Sequence, residues 1–136
     1  MSTQLPSFSI ASDSDSQPYW DGIAQGELRI QRCDSCARAV FYPRALCPYC
    51  HENKLSWIVA TGKGTIYSYT VAHQGFGSFA QDIPYVIAIV ELAEGARMMT
   101  RIIDAPRERV AIGVPVQVTF VSISEDITLP YFRLVE

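Results

Sequence analysis

Four cysteines constrain this chain more than any other feature: Cys33-Asp34-Ser35-Cys36 and, ten residues on, Cys47-Pro48-Tyr49-Cys50. They are the only cysteines in 136 residues. A Cys-x-x-Cys turn aims two sulfurs at one point while its backbone N–H groups face them. Two such knuckles close a tetrahedron of thiolates around an ion, at roughly 2.3 Å per Zn–S bond. The spacer Ala37 to Leu46 is long enough for a short β-hairpin that brings the second knuckle back over the first. A redox Cys-x-x-Cys needs only one pair, in a βαβ setting that is missing here. Two structural disulfides would suit a small secreted chain, but the N-terminus has no signal-peptide pattern. Zinc is expected, with iron in a tetrathiolate site as the alternative. All four ligand positions are thiolates, so no position is open to water or substrate. The metal is expected to be structural, which disfavours a zinc hydrolase.

The chain has room for one ordinary domain, or for a small domain plus a metal-stapled module. At 49% hydrophobic and 18% charged residues it reads as globular. Met1-Ser-Thr-Gln-Leu-Pro has no basic region, and no apolar run approaches the roughly 18 residues of a membrane span. No membrane partner and a cytoplasmic location are expected. The net charge of -3 and pI near 5.3 argue against a dedicated nucleic-acid binder. Locally the balance reverses. Residues 27–57 hold Arg29, Arg32, Arg38, Arg44 and Lys54 against Glu27, Asp34 and Glu52. That is either a solvated face or a patch for a phosphorylated small molecule.

Along the chain, residues 1–16 read as a flexible leader and 17–27 as a helix. Residues 28–61 read as the metal ribbon and 62–136 as a β-domain. Ser16 can cap the helix, Pro18 is tolerated in its first turn, and Trp20, Ile23 and Ala24 form its apolar stripe. Gly26 is a natural stop. A helix this short must pack on something, either its own domain or a partner subunit. Strands are expected at 28–31, 39–42 and 55–61, the order of a zinc ribbon. After Gly62 come strands at Gly64 to His73, Tyr85 to Leu92, Arg97 to Ile103, Val114 to Ser124 and Leu129 to Leu134. Tyr85 to Leu92 is almost continuously apolar, which suggests burial on both faces. Val114, Val116, Val118 and Phe120 alternate with polar neighbours on one face. Five strands without a long helix predict a mainly β chain ending in a small closed barrel such as an OB-fold.

Several segments together carry a family resemblance. They are Tyr19-Trp20, Gly26-Glu27-Leu28-Arg29-Ile30-Gln31-Arg32-Cys33, Phe41-Tyr42-Pro43-Arg44, Trp57, Gly62-Lys63-Gly64-Thr65-Ile66-Tyr67-Ser68-Tyr69-Thr70, His73, Pro84-Tyr85-Val86, Glu91-Leu92, Gly113-Val114-Pro115-Val116 and Leu129-Pro130-Tyr131-Phe132-Arg133. With the four cysteines, these residues resemble the DUF35 family of zinc-ribbon OB-fold proteins over about residues 17–135. The resemblance implies a helical N-terminus, a rubredoxin-like zinc ribbon and a C-terminal five-stranded OB-fold barrel. It also implies a small accessory subunit of acyl-CoA enzymes, partnered with thiolase-like enzymes or hot-dog-fold enoyl-CoA hydratases. Members of the family are thought to bind acyl-CoA or to complete a channel for it. The cysteines match the family's ligand pattern without a gap; the residues that touch CoA have no comparable signature.

The catalytic inventory is thin, and no enzyme activity of the chain's own is expected. His51 follows a ligand cysteine and reads as exposed beside the knuckle. His73 ends a strand at a glycine-bearing loop, as a rim residue or as the lining of a ligand path beside Phe76 and Phe79. No nucleophile elbow, Walker loop or dinucleotide fingerprint is present. Gly62-Lys63-Gly64 reads as the turn into the barrel. If acyl-CoA binds, Arg38, Arg44 and Lys63 are candidates for its phosphates, since an arginine fork donates bidentately. Phe41, Phe76 and Phe79 are candidates for an acyl groove. The alternative is a single-stranded nucleic-acid module with Tyr67, Tyr69 and Tyr85 as its platform. Residues 58–136 weigh against it, with six basic against eight acidic side chains.

Overall fold

The computed structural model describes residues 16–75, 83–123 and 127–135. The expected leader, together with Phe76, Phe79 and the acidic turn at Glu125-Asp126, lies outside the described residues. Helix α1 (Gln17–Ala24) ends in a Schellman turn. The Glu27 N–H donates to the Gly22 carbonyl and the Gly26 N–H to the Ile23 carbonyl, with Gly26 at φ 80°. The Ser16 side chain makes no capping hydrogen bond; its carbonyl accepts from the Trp20 N–H instead.

The buried face of α1 is Tyr19, Gly22 and Ile23, with Trp20 half-buried and Ala24 exposed. This corrects the Trp20–Ile23–Ala24 stripe. The cause is Gly22, which a hydrophobicity pattern does not score. A Cβ there would stand 2.6 Å from Cγ and Cδ of Arg29, so only glycine lets that side chain lie across the helix. The helix packs on strand β1 (Leu28–Cys33) and on the final strand β8 (Thr128–Leu134), both within its own chain.

The ribbon is a three-stranded antiparallel sheet in the order β2-β1-β3. Strand β2 is the two-residue Ala39–Val40, and β3 is Leu55–Ala60. β1 and β3 pair without interruption from Leu28–Ala60 to Cys33–Leu55. The remaining strands are β4 (Lys63–Ala72), β5 (Tyr85–Leu92), β6 (Arg97–Ile102) and β7 (Pro115–Ser122). With β8 they close a barrel in the order β4-β5-β6-β8-β7, and β7 returns to pair with β4. The β6–β8 contact is parallel, through Ile102 and Phe132, and the other pairings are antiparallel. This Greek-key closure is the OB-fold.

β5 is not buried on both faces. Val86, Ala88, Val90 and Leu92 point into the barrel, whereas Ile89 is exposed and Tyr85, Ile87 and Glu91 are half-buried. A closed barrel has one inside, and among the described residues no second layer covers the outside of β5. On β7 the expected alternation holds, with Val116 buried and Val118 and Phe120 packed against the core. One apolar cluster joins Tyr19 and Ile23 of the helix, Leu28 and Ile30 of the ribbon, and Ile66, Val90 and Phe132 of the barrel. A second, small cluster surrounds the cysteines, and among the described residues Val40 and Leu55 are its other members.

Candidate metal centre and the cleft beside it

The two knuckles are copies of one loop. In the first, the Cys36 N–H donates to the Cys33 sulfur at 3.4 Å and the Ala37 N–H to the Cys33 carbonyl at 2.8 Å. In the second, the Tyr49 N–H donates to the Cys47 sulfur at 3.4 Å and the His51 N–H to the Cys47 carbonyl at 2.9 Å. Each loop is closed by a left-handed residue, Ala37 and His51, both at φ 66°. Backbone bonds from Cys33 to Arg38 and from Cys47 to Glu52 complete the pair.

The four sulfurs lie within 4.8 Å of one another, with Cys33–Cys50 at 3.5 Å and Cys36–Cys47 at 3.7 Å. A tetrahedron with bonds of about 2.3 Å has edges of about 3.8 Å. A disulfide requires about 2.05 Å, so the geometry suits a tetrathiolate ion and not a disulfide pair. The acidities point the same way. Burial pushes the Cys47 thiol up, but N–H groups of Cys50 and Tyr49 outweigh it and hold Cys47 at about 7. At Cys50 the Glu52 N–H favours the thiolate, but burial and the three neighbouring sulfurs push it up to about 11. Four thiolates this close need a cation to be ionised together. His51 is exposed and adds no fifth ligand to the cluster.

Beside the centre is a cleft of about 620 Å³ between the knuckles and the β5–β6 turn. Arg38, Phe41 and Tyr49 line the ribbon side; Glu94 and Arg97 line the barrel side. The Arg38 guanidinium lies over the Tyr49 ring at 4.7 Å. Arg97 lies over Tyr67 at 3.8 Å and pairs with Glu91 at 3.1 Å. One Glu94 oxygen accepts from the Thr61 N–H at 2.9 Å; the other is buried without a hydrogen-bond partner.

Of the sequence candidates, the structure brings Arg38 and Phe41 together on this cleft. Arg44, Lys63 and His73 are not among its lining residues. Arg44 shapes its own loop. Its backbone N–H and carbonyl both bond the buried Gln31 side chain, and its Nε donates to the Tyr42 carbonyl. Lys63 is exposed at the start of β4, and His73 is exposed just past its end. Tyr49, Glu94 and Arg97 join them without a signal in the sequence. Tyr49 stands there as a knuckle spacer, Arg97 as the start of a strand, and Glu94 in no motif; nothing local says that two segments so distant in sequence meet.

Residues 20–56 match the family described as ChsH2, rubredoxin-like zinc ribbon domain. Residues 57–121 match that described as ChsH2, C-terminal OB-fold domain. A DUF35 domain-containing scaffold protein of Methanocaldococcus jannaschii is 42% identical over 96 residues, covering 70% of this chain and 68% of that protein. A probable enoyl-CoA hydratase alpha subunit of Thermomonospora curvata is 35% identical over 123 residues. The match covers 90% of this chain but only 38% of that longer relative. Among solved structures, a chain of the Ltp2-ChsH2(DUF35) aldolase superposes with a TM-score of 0.82 at 34% identity, covering 93% of this chain and 98% of that one. Among the described residues no helix is long and apolar enough to cross a membrane.

Proposed function

This chain belongs to the DUF35 family of zinc-ribbon OB-fold proteins, and from that membership we propose that it is a non-catalytic accessory subunit, a scaffold for an enzyme acting on acyl-CoA thioesters. The observation that carries the reading is the closed sulfur tetrahedron. Cys33, Cys36, Cys47 and Cys50 would use every coordination position of a zinc ion, leaving none for water or substrate. Zinc, once bound, would supply structural closure of the ribbon. The chain has no further cysteine to act as a nucleophile, and its two histidines are both exposed. Relatives named as a scaffold protein, as a hydratase alpha subunit and as part of an aldolase support the acyl-CoA context. Four thiols kept reduced for a metal suit the cytoplasm.

The finer part of the proposal is that acyl-CoA lies along the cleft. Its phosphates would meet Arg38 and Arg97 and its apolar portion Phe41. Guanidinium forks on opposite walls suit phosphate oxygens. The test is co-expression with thiolase-like and hot-dog-fold acyl-CoA enzyme subunits from the same genome, followed by size exclusion and an acyl-CoA turnover assay. We expect a stable complex whose activity or solubility depends on this chain. An enzyme subunit that is fully soluble and active alone, with no complex formed, overturns the proposal.

A further inference from the structure

The ribbon sheet ends on an open edge. β3 pairs with β1 alone, and the sheet stops there, in the order β2-β1-β3. The Asp34 N–H donates to the Lys54 carbonyl at 2.8 Å, which marks residues 34 and 54 as a hydrogen-bonded pair of the antiparallel ladder. Such pairs recur every second residue, so Arg32–Ser56, Ile30–Ile58 and Leu28–Ala60 are the others. The Cys33 N–H fits this phase, since it turns the opposite way, to the Arg38 carbonyl. The N–H and C=O groups of Leu55, Trp57 and Val59 therefore all point out of the sheet. Among the described residues no backbone group of another segment takes them.

An edge of this kind is usually blunted by charge, proline, a bulge or brevity. The far edge is blunted, since β2 has only Ala39–Val40. β3 is not. Its six residues, Leu-Ser-Trp-Ile-Val-Ala, hold no charge and no proline, and their register with β1 is unbroken. Val59 is 59% exposed.

A second copy supplies the strand that fits. About a two-fold axis through Trp57, the antiparallel register sets Trp57 against Trp57 and Leu55 against Val59 of the other copy. Each outward N–H then meets an outward C=O, because residues 55, 57 and 59 share one phase, and none of these groups is left over. Alternation puts the three side chains on one face, so aromatic meets aromatic and aliphatic meets aliphatic. On the other face Ile58 meets Ser56, and no like charges stand opposite within the strand. Just beyond it, Lys54 of one copy comes opposite Ala60 of the other, beside Thr61, whose N–H is held by the Glu94 carboxylate. The charge that Lys54 meets there is of opposite sign. An extended segment of another protein would satisfy the same backbone groups, but nothing obliges it to carry this side-chain ladder, which the chain's own strand always does.

We propose that two copies of this chain join edge to edge through β3, about a two-fold axis at Trp57, and so merge their ribbons into one continuous sheet. The inference stands apart from the scaffold reading, and either can fail alone.

The experiment uses the full zinc-loaded chain. Sedimentation equilibrium over a concentration series shows a monomer and a dimer, and hydrogen exchange shows the Trp57 and Val59 amides slowing as the dimer fills. Val59→Pro removes an outward donor without touching the β1 ladder. Symmetry counts the loss twice, so dimerisation weakens about tenfold or more. Val59→Lys, which sets a charge on the same edge, weakens it as well, and both variants keep their zinc. Val59→Ile keeps the dimer, and so does Met99→Glu, at a site 71% exposed on the barrel. Fast exchange at Trp57 and Val59 at every concentration overturns the inference. So does a dimer that both Val59→Pro and Val59→Lys leave intact, or one that Met99→Glu breaks. Protection of these amides that appears only on adding an acyl-CoA enzyme subunit assigns the edge to a strand of that enzyme, with the same consequence. If Val59→Pro loses its zinc, Val59→Lys and the wild-type exchange pattern still decide.

Discussion

The Arg38 guanidinium lies 4.7 Å above the Tyr49 ring, so a residue just past the first knuckle touches one inside the second on the wall of the junction cleft. An exposed cation–π contact contributes only about 0.5–1 kcal/mol. Its larger effect is to hold the guanidinium toward the cleft. Arg38→Ala should therefore change stability by less than about 1 kcal/mol. If CoA uses the cleft, the same substitution weakens its binding about tenfold, in line with a lost charged hydrogen bond of about 1.5–3 kcal/mol. Arg38→Lys restores part of the loss, keeping the charge without the fork. Titration calorimetry with CoA on zinc-loaded protein decides; equal affinities for wild type and Arg38→Ala would remove the cleft as the site.

Metal removal should melt the knuckles first. Apart from the cysteines, their core is Val40 and Leu55, too little apolar surface to hold the loops. The barrel keeps the larger cluster around Ile66, Val90 and Phe132, which it shares with Leu28 and Ile30 at the far end of the ribbon from the knuckles. Chelation, or Cys36→Ser, should therefore abolish amide protection across residues 33–55 while β5 and β6 stay protected. Hydrogen exchange reads this directly, and uniform loss across the chain would mean that the two parts unfold as one. Acid should act in the same direction, since the ligands must be thiolates. Cys47 sits at about 7 in the metal-free protein, below the ordinary thiol range, so its ionisation supports the fold above that range. That support is lost as pH falls through about 7. Metal binding should then release more protons at pH 6 than at pH 8.

Much of this architecture was legible because it is local. Cysteine spacing set the ribbon, and strand alternation at Val116 to Phe120 set the barrel's inner face. Gly22 was illegible because its contribution is the absence of a side chain under Arg29, which no apolar count registers. Ile89 was misread for a different reason. A continuous apolar run looks the same whether its second face meets a covering layer or a surface left open. The cleft escaped because Arg38 and Arg97 become neighbours only once the β5–β6 turn folds back toward the ribbon, and Arg44, equally basic, is spent on its own loop.

Ala37 and His51 hold φ 66°, a conformation that strains a residue with a Cβ by about 1–2 kcal/mol. Glycine removes that strain but loses more entropy on folding, an offset of about 0.4–1 kcal/mol. Ala37→Gly and His51→Gly should each stabilise the zinc-loaded protein by about 0.5–1 kcal/mol, raising the melting temperature by about 1–4 °C. A thermal melt with zinc in excess checks both. A drop in melting temperature would mean that the native side chains make compensating contacts at these corners.

Gly62 joins the ribbon to the barrel, and two constraints meet there. Its φ of 80° is left-handed, and a Cβ would overlap Cγ1 of Val118 and stand 2.9 Å from Nε2 of Gln117. The surrounding backbone cannot yield easily. The Gly62 carbonyl accepts from the Val118 N–H at 2.8 Å, and the preceding Thr61 N–H is held by the Glu94 carboxylate at 2.9 Å. Gly26 has the same φ of 80° with nothing within 4 Å of its Cβ position. Gly26→Ala should therefore cost only the backbone strain, about 1–2 kcal/mol. Gly62→Ala should cost that strain plus an overpacking penalty of about 1–3 kcal/mol. Denaturant unfolding of both zinc-saturated variants isolates the difference. Equal costs would mean that β7 can move away from residue 62, and that the junction is not held in the close-packed form described.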